Sequence, residues 1–333
     1  MKKIVIGIGL VLVLAGIAVW VTNADSSSNY KTELNDFAVV DTSDVHFIRL
    51  TDEQGNIVEL KRDEKSWSLN DEHKARPDAV NILLSTIRKV TVRAPVSQNQ
   101  MKSVLKNIIS NHTLVEIYDD SESLLKSYYV GGPDKDHTGT NMLMKGSSRP
   151  FITHIEGFHG FLTTRFFTNE LEWRHRGVFE YKADNIQRID IRHPDAPQHN
   201  VSIEATESGY AVSAGQAMAP VSQLDTFMLS AYLKNYERVH FESFEETKTT
   251  MFMDSVLQKG HLFEISLATK GGEIRNVKGY RKPIKEGYDL LKDMPTDYDI
   301  DRFYLLIDDK QFVICQYILF DPLLMSLDFI SAR

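Results

Sequence analysis

One cysteine stands in the whole chain of 333 residues. Cys315 therefore has no intramolecular disulfide partner, and zinc sites built on paired cysteines are excluded. Its neighbours Phe312-Val313-Ile314 mark it as a small buried hydrophobe rather than a nucleophile. Positive charge is also short, since 38 basic against 46 acidic residues gives 38 − 46 = −8. With Lys2 and Lys3 set aside the remainder carries 36 − 46 = −10. Such a surface disfavours nucleic acid and anionic lipid. Glycine and proline are too few and too scattered for collagen or a long disordered tract. Recognisable catalytic signatures are missing as well. The chain has no G-x-x-x-x-G-K-[ST] phosphate loop, no G-x-G-x-x-G, no G-x-S-x-G elbow and no H-E-x-x-H.

Long apolar runs are confined to one. After Met1-Lys2-Lys3, an uncharged stretch extends from Ile4 to Val21. Its eighteen residues, at about 1.5 Å each, make about 27 Å of helix, close to one hydrocarbon core. Trp20 falls where an interfacial aromatic belt sits, and the two lysines place the amino end on the cytoplasmic side. A cleaved signal peptide is the competing reading, but the run exceeds a usual signal core and Thr22 is a poor cleavage-site residue. The expectation is a transmembrane anchor at 1–22, a polar tether at 23–36, and α+β domains at 37–180 and 181–333.

The two domains read as one unit used twice, each an antiparallel meander plus helices. Val45/Ile48/Leu50 aligns with Ile186/Ile189/Ile191, and Leu84-Ser85 with Leu229-Ser230. Ser103-Val104-Leu105 aligns with Ser255-Val256-Leu257, and Leu114–Ile117 with Leu262–Ile265. The order is the same throughout, which favours duplication. In the first unit, Val80, Leu83, Leu84, Ile87 and Val90 give a helical stripe after Pro77, and Met101, Val104, Leu105, Ile108 and Ile109 a second one. In the second unit the expected helical face is Leu224, Phe227, Met228 and Ala231.

Few residues suggest chemistry. Asp134-Lys135-Asp136-His137-Thr138-Gly139 resembles the first half of a calcium loop, with Asp134, Asp136 and Thr138 as candidate ligands; its twelfth position is Lys145 instead of glutamate. His154, Glu156 and His159 could converge on a metal across the bend at Gly157. Otherwise no cofactor is expected. Asp289, Asp293, Asp297, Asp299 and Asp301 read as a solvated acidic loop. Between the domains, Phe161 to Arg176 is rich in aromatics and arginine. It reads either as a packed joint or as a docking surface at Arg165, Trp173, Arg174 and Arg176.

Several stretches together carry a family likeness: Trp67, Lys74-Ala75-Arg76-Pro77-Asp78, Leu83-Leu84 and Ala94-Pro95-Val96. Tyr128-Tyr129-Val130-Gly131-Gly132-Pro133, Ile155-Glu156-Gly157-Phe158 and Arg165-Phe166-Phe167 belong with them. The chain resembles the bacterial envelope proteins of domain-of-unknown-function family 4340. The resemblance implies an amino-terminal membrane segment, an α+β exterior and, for some members, association with ABC-type transport or gliding-type components. It supplies no catalytic residues. The expectation is a non-enzymatic accessory protein, single-pass in the bacterial inner membrane through residues 4–21. Its bulk is expected in the periplasm, where it meets other envelope proteins and no nucleic acid. The alternatives are a ligand- or calcium-binding module and an envelope hydrolase using carboxylates such as Glu116, Glu156 and Glu264, of which Glu116 and Glu264 are expected to hold equivalent repeat positions.

Overall fold

The computed structural model describes residues 36–284 and 297–324. The expected anchor and nearly all of the tether, with Asp289 and Asp293, lie outside them. Among the described residues no helix is long and apolar enough to cross a membrane. The architecture is mixed α+β, built on antiparallel sheets with few helices, and the chain divides into two compact units between His175 and Arg176.

The first unit opens with β1 (Phe47–Asp52) and β2 (Ile57–Arg62). Their turn is fixed locally. Asp52 accepts from the Gln54 and Asn56 amides, and Gly55 takes φ +86°, which suits a residue without Cβ. Then come β3 (Trp67–Leu69), β4 (His73–Lys74), α1 (Pro77–Lys89) and β5 (Val90–Pro95). Proline stands at the start of α1, where its missing N–H costs nothing. α2 (Gln98–Ser110), β6 (Thr113–Tyr118), β7 (Leu124–Pro133), β8 (Thr140–Met144), β9 (Phe151–Ile155) and a short α3 (Glu170–Trp173) complete it. The sheet order is β4-β3-β2-β1-β6-β7-β8-β9-β5. Leu50 lies opposite Val58 and Val115, and Ile48 opposite Leu60 and Ile117, so alternate residues of three strands share one buried face. Val80, Leu83 and Ile87 of α1 pack on it. Val90, expected to extend that helical stripe, is instead the first residue of β5.

The second unit contains β10 (Gly177–Phe179), β11 (Ile186–Arg192), β12 (Val201–Thr206), β13 (Gly209–Ala214), β14 (Ala219–Pro220) and α4 (Thr226–Leu233). β15 (Val239–His240), β16 (Ser243–Phe244), α5 (Thr250–Leu257), β17 (Phe263–Thr269) and β18 (Ile274–Pro283) follow. β19 (Tyr298–Ile307), β20 (Gln311–Gln316) and α6 (Tyr317–Leu324) are last. Its large sheet runs β14-β13-β12-β11-β17-β18-β19-β20-β16, the order of the first sheet strand for strand.

Register corrects one of the alignments, that of Leu114–Ile117 with Leu262–Ile265. Ile48 opposes Ile117, and Ile189 opposes Leu267, so Glu116 corresponds to Ser266 and not to Glu264. A slip of two residues keeps the same face inward, so hydrophobic pattern alone does not detect it. In α4 the buried residues are Leu229, Tyr232 and Leu233; of the expected face, Leu224 and Met228 pack partly buried against the core, while Ala231 is exposed and Phe227 is 78% exposed. Apolar residues surround this short helix, and the periodicity carries little phase information. The helix stripe of α2 is likewise shallow. Only Ile108 is fully buried, against the bare backbone of Gly131, where a Cβ would come within 2.7 Å of Ile108 Cγ1.

Candidate functional site

The site grows from the chain after β9. Gly157 and Gly160 take φ of +76° and +139°, letting the strand end turn back. Leu162 and Phe166 are buried, and both are tied by hydrogen bonds. The Leu162 amide donates to Thr140 Oγ1 at 2.6 Å, and Thr113 Oγ1 donates to the Phe166 carbonyl at 2.9 Å. Thr163 Oγ1 donates to the Gly131 carbonyl. With these groups turned inward, Thr164, Arg165 and Phe167 line a groove of about 600 Å³, with Phe158 at its side. The other wall is one face of α1, from Arg76 through Ala79, Asn81, Ile82 and Ser85.

Arg165 is the distinctive group. Its Nη1 donates to Thr86 Oγ1 at 3.0 Å, and its guanidinium lies 4.3 Å from the centre of the Phe158 ring. Thr86 is a fully buried polar side chain on the apolar face of α1 and donates to the Ile82 carbonyl. Partial burial pulls the Arg165 pKa below the ordinary arginine value. No carboxylate pairs with it among the described residues. Arg76 differs, since its Nε lies 2.9 Å from Asp78 Oδ1 and its Nη1 3.8 Å from Glu172 Oε2. The lining contains no histidine, cysteine, carboxylate, lysine or tyrosine. It offers cations, hydroxyls, one amide and apolar walls, the equipment for holding an anion rather than transferring a proton.

The other docking candidates lie elsewhere. Trp173 has no exposed surface; its indole stacks on Phe167 at 4.4 Å and its N–H donates to the Phe167 carbonyl at 2.8 Å. It is core, because a ring that large excludes more water inside than at a surface. Arg174 bridges to Ala75 through the backbone of the first unit, and Arg176 belongs to the second, donating to the Glu242 carbonyl at 2.7 Å. Of the four, Arg165 alone lines the groove.

The calcium-like loop is closed by the protein's own donors. Asp134 Oδ1 accepts from the Thr138 and Gly139 amides, and Oδ2 accepts from Arg93. Thr138 Oγ1 accepts from Arg93 as well, at 2.8 Å. Asp136 is exposed and joins neither bond. A cation at Asp134, Asp136 and Thr138 would have to displace a guanidinium, so the loop is an Asx-type turn locked by an ion pair. Glu156 and His159 are exposed past the end of β9, and no group of three metal-ligating side chains gathers with His154 among the described residues. Glu116 pairs with Lys145 at 2.9 Å, and Glu264 is in the second unit.

Sequence reasoning missed Ile82, Ser85, Thr86 and Phe158. One signal was present in Thr86, a hydroxyl set among Val80, Leu83 and Ile87 on the buried side of a helix. Comparison of the chain with protein-family models, with curated proteins and with solved structures finds no match.

Proposed function

We propose that the chain is a non-enzymatic accessory protein of the bacterial envelope, anchored in the inner membrane by residues 4–21 with its bulk outside the cytoplasm. In this reading two copies of one α+β unit arose by duplication, and the first recognises a partner component through the groove at Arg165. The groove carries the proposal: it concentrates an arginine without a carboxylate partner, exposed aromatic and aliphatic surface, and no proton-transfer group. The amino-terminal lysines before an apolar run support the anchor, the identical strand orders support duplication, and the likeness to domain-of-unknown-function family 4340 supports an envelope setting.

The test is crosslinking in intact cells. A photoreactive residue replaces Ile82, which is 49% exposed on the groove wall, and a second replaces Phe227, 78% exposed in the other unit. The expected result is a reproducible adduct with one membrane-complex protein from position 82, lost on Arg165→Met. Self-adducts alone from both positions would overturn the proposal. The anchor is checked separately, since deletion of residues 1–22 is expected to release the protein from carbonate-washed membranes.

A further inference from the structure

We infer that the groove of the first unit binds a carboxylate carried on an apolar body, with Arg165 as its counter-ion. The inference rests on reading this groove as a recognition site, and independently of the anchor and of the partner's identity. It starts from charge accounting. Arg49, Arg76 and Arg93 of the first unit each sit against a carboxylate, of Glu59, Asp78 and Asp134 respectively. Arg165 is partly buried, as Arg49 and Arg76 are, and meets only a hydroxyl and a ring face. A partly buried charge loses hydration, and one neutral hydrogen bond restores little of it. A guanidinium has five donors in a flat fork that matches the two oxygens of a carboxylate, and only one donor is engaged by Thr86.

The remaining lining defines the rest of the ligand. Ala79, Ile82, Phe158 and Phe167 supply apolar surface, and about 600 Å³ accommodates a ligand of a few residues' size. The charge of the ligand is also limited. Arg165 is the one uncompensated cation in the lining, because Arg76 is held by Asp78 and approached by Glu172. A dianion would lack a second counter-charge in the lining, so a monoanion fits.

The second unit supplies an internal contrast. After its last central strand, β20, the chain enters α6, whose Phe320 and Leu323 are fully buried in that unit's core. Tyr232 of α4 donates its hydroxyl to the Leu323 carbonyl at 2.7 Å. There an apolar helix packs after the strand that corresponds to β9, whereas the first unit places Phe158 and Arg165 beside an open groove.

Ligand-observed NMR on the purified full-length protein tests this, with N-acetyl-phenylalanine and its uncharged amide as probes. The acid is expected to bind at least tenfold more tightly than the amide, and Arg165→Met to remove that tenfold preference while far-ultraviolet circular dichroism stays unchanged. Arg165→Lys keeps the charge but not the fork and retains part of the preference. Should Arg165→Met fail to fold, Ile82→Trp, at an exposed position, fills the groove from its rim and is expected to lower acid affinity at least tenfold. Equal binding of acid and amide overturns the inference, as does an unchanged preference in folded Arg165→Met or unchanged affinity in Ile82→Trp. A pentapeptide ending in phenylalanine separates the sources: tighter binding than the free acid assigns a polypeptide terminus, equal binding a free small acid, and both keep the carboxylate. Failure here leaves the in-cell adducts from position 82 untouched, so the two proposals fail separately.

Discussion

Trp173→Ala removes a side chain with no solvent-exposed surface from the core of the first unit. Truncating a buried tryptophan costs about 3–5 kcal/mol through lost transfer energy and the cavity left behind. Two local features push this site toward the upper end. The ring stacks on Phe167 at 4.4 Å, and its N–H is the donor to the Phe167 carbonyl; that carbonyl would be left unpaired, at about 1 kcal/mol or more. With a urea dependence of about 2 kcal/mol per molar, the unfolding midpoint should fall by about 1.5–2.5 M. Trp173→Phe keeps a ring and loses only the donor and some volume, so a fall of about 0.5–1 M is expected. Far-ultraviolet circular dichroism of the full-length protein in urea reads both. The reasoning is refuted if Trp173→Ala keeps the wild-type midpoint while partner adducts from the groove disappear, because Trp173 would then be a docking residue and not core.

Three further outcomes follow from local geometry. Burial of Asp134 opposes its ionisation, but the Gly139 and Thr138 amides and Arg93 outweigh it and hold its carboxyl below the usual 3.8. A carboxyl lowered by folding stabilises above its unfolded pKa and loses that contribution as pH falls through the folded value; wild-type stability should therefore drop below about pH 4 more steeply than that of Asp134→Asn, measured by urea titration at each pH. Gly279→Ala places a Cβ within 2.3 Å of the Phe263 ring, so it should destabilise by about 1–3 kcal/mol, and Phe263→Leu in the same chain should recover part of the loss on thermal unfolding. Cys315 is fully buried and burial pushes its thiol pKa well up, so an aromatic disulfide reagent should leave it unmodified in the native protein and react promptly in urea; prompt native reaction would contradict its placement.

The sequence made the strands of both units legible because their faces are unequal. Ile48/Leu50 alternate with Arg49 and Thr51, and Ile189/Ile191 with Arg188, Asp190 and Arg192, and a half-buried strand imprints that alternation directly. Helix α1 was legible for a related reason, a proline start and an apolar stripe of the right spacing. The edge strand β5 was not, since Val90-Thr91-Val92 follows α1 with no turn residue between them and its first valine continues the helical period. Register was beyond reach, because pairing Ile117 with Ile48 depends on partners far apart in the chain. The groove was half visible. Arg165 stood out as an arginine among aromatics, but so did Trp173, and composition cannot tell which large side chain folding turns inward. That choice is made by Leu162 and Phe166, whose burial sets the rotation of the whole segment.

Two sheets with one strand order create a hazard of mistaken identity, since a strand of one copy has the neighbours to replace its counterpart in the other. The order of synthesis works against such an exchange. All strands of the first sheet precede residue 156, and the second sheet is not complete until Gln316, which is 316 − 155 = 161 residues later. At about 5–20 residues per second the first copy has a head start of about 8–30 s. Sheets rich in distant pairings form within milliseconds to seconds. The first copy can therefore close its ladder before its double exists, and chain timing keeps the two interchangeable patterns apart.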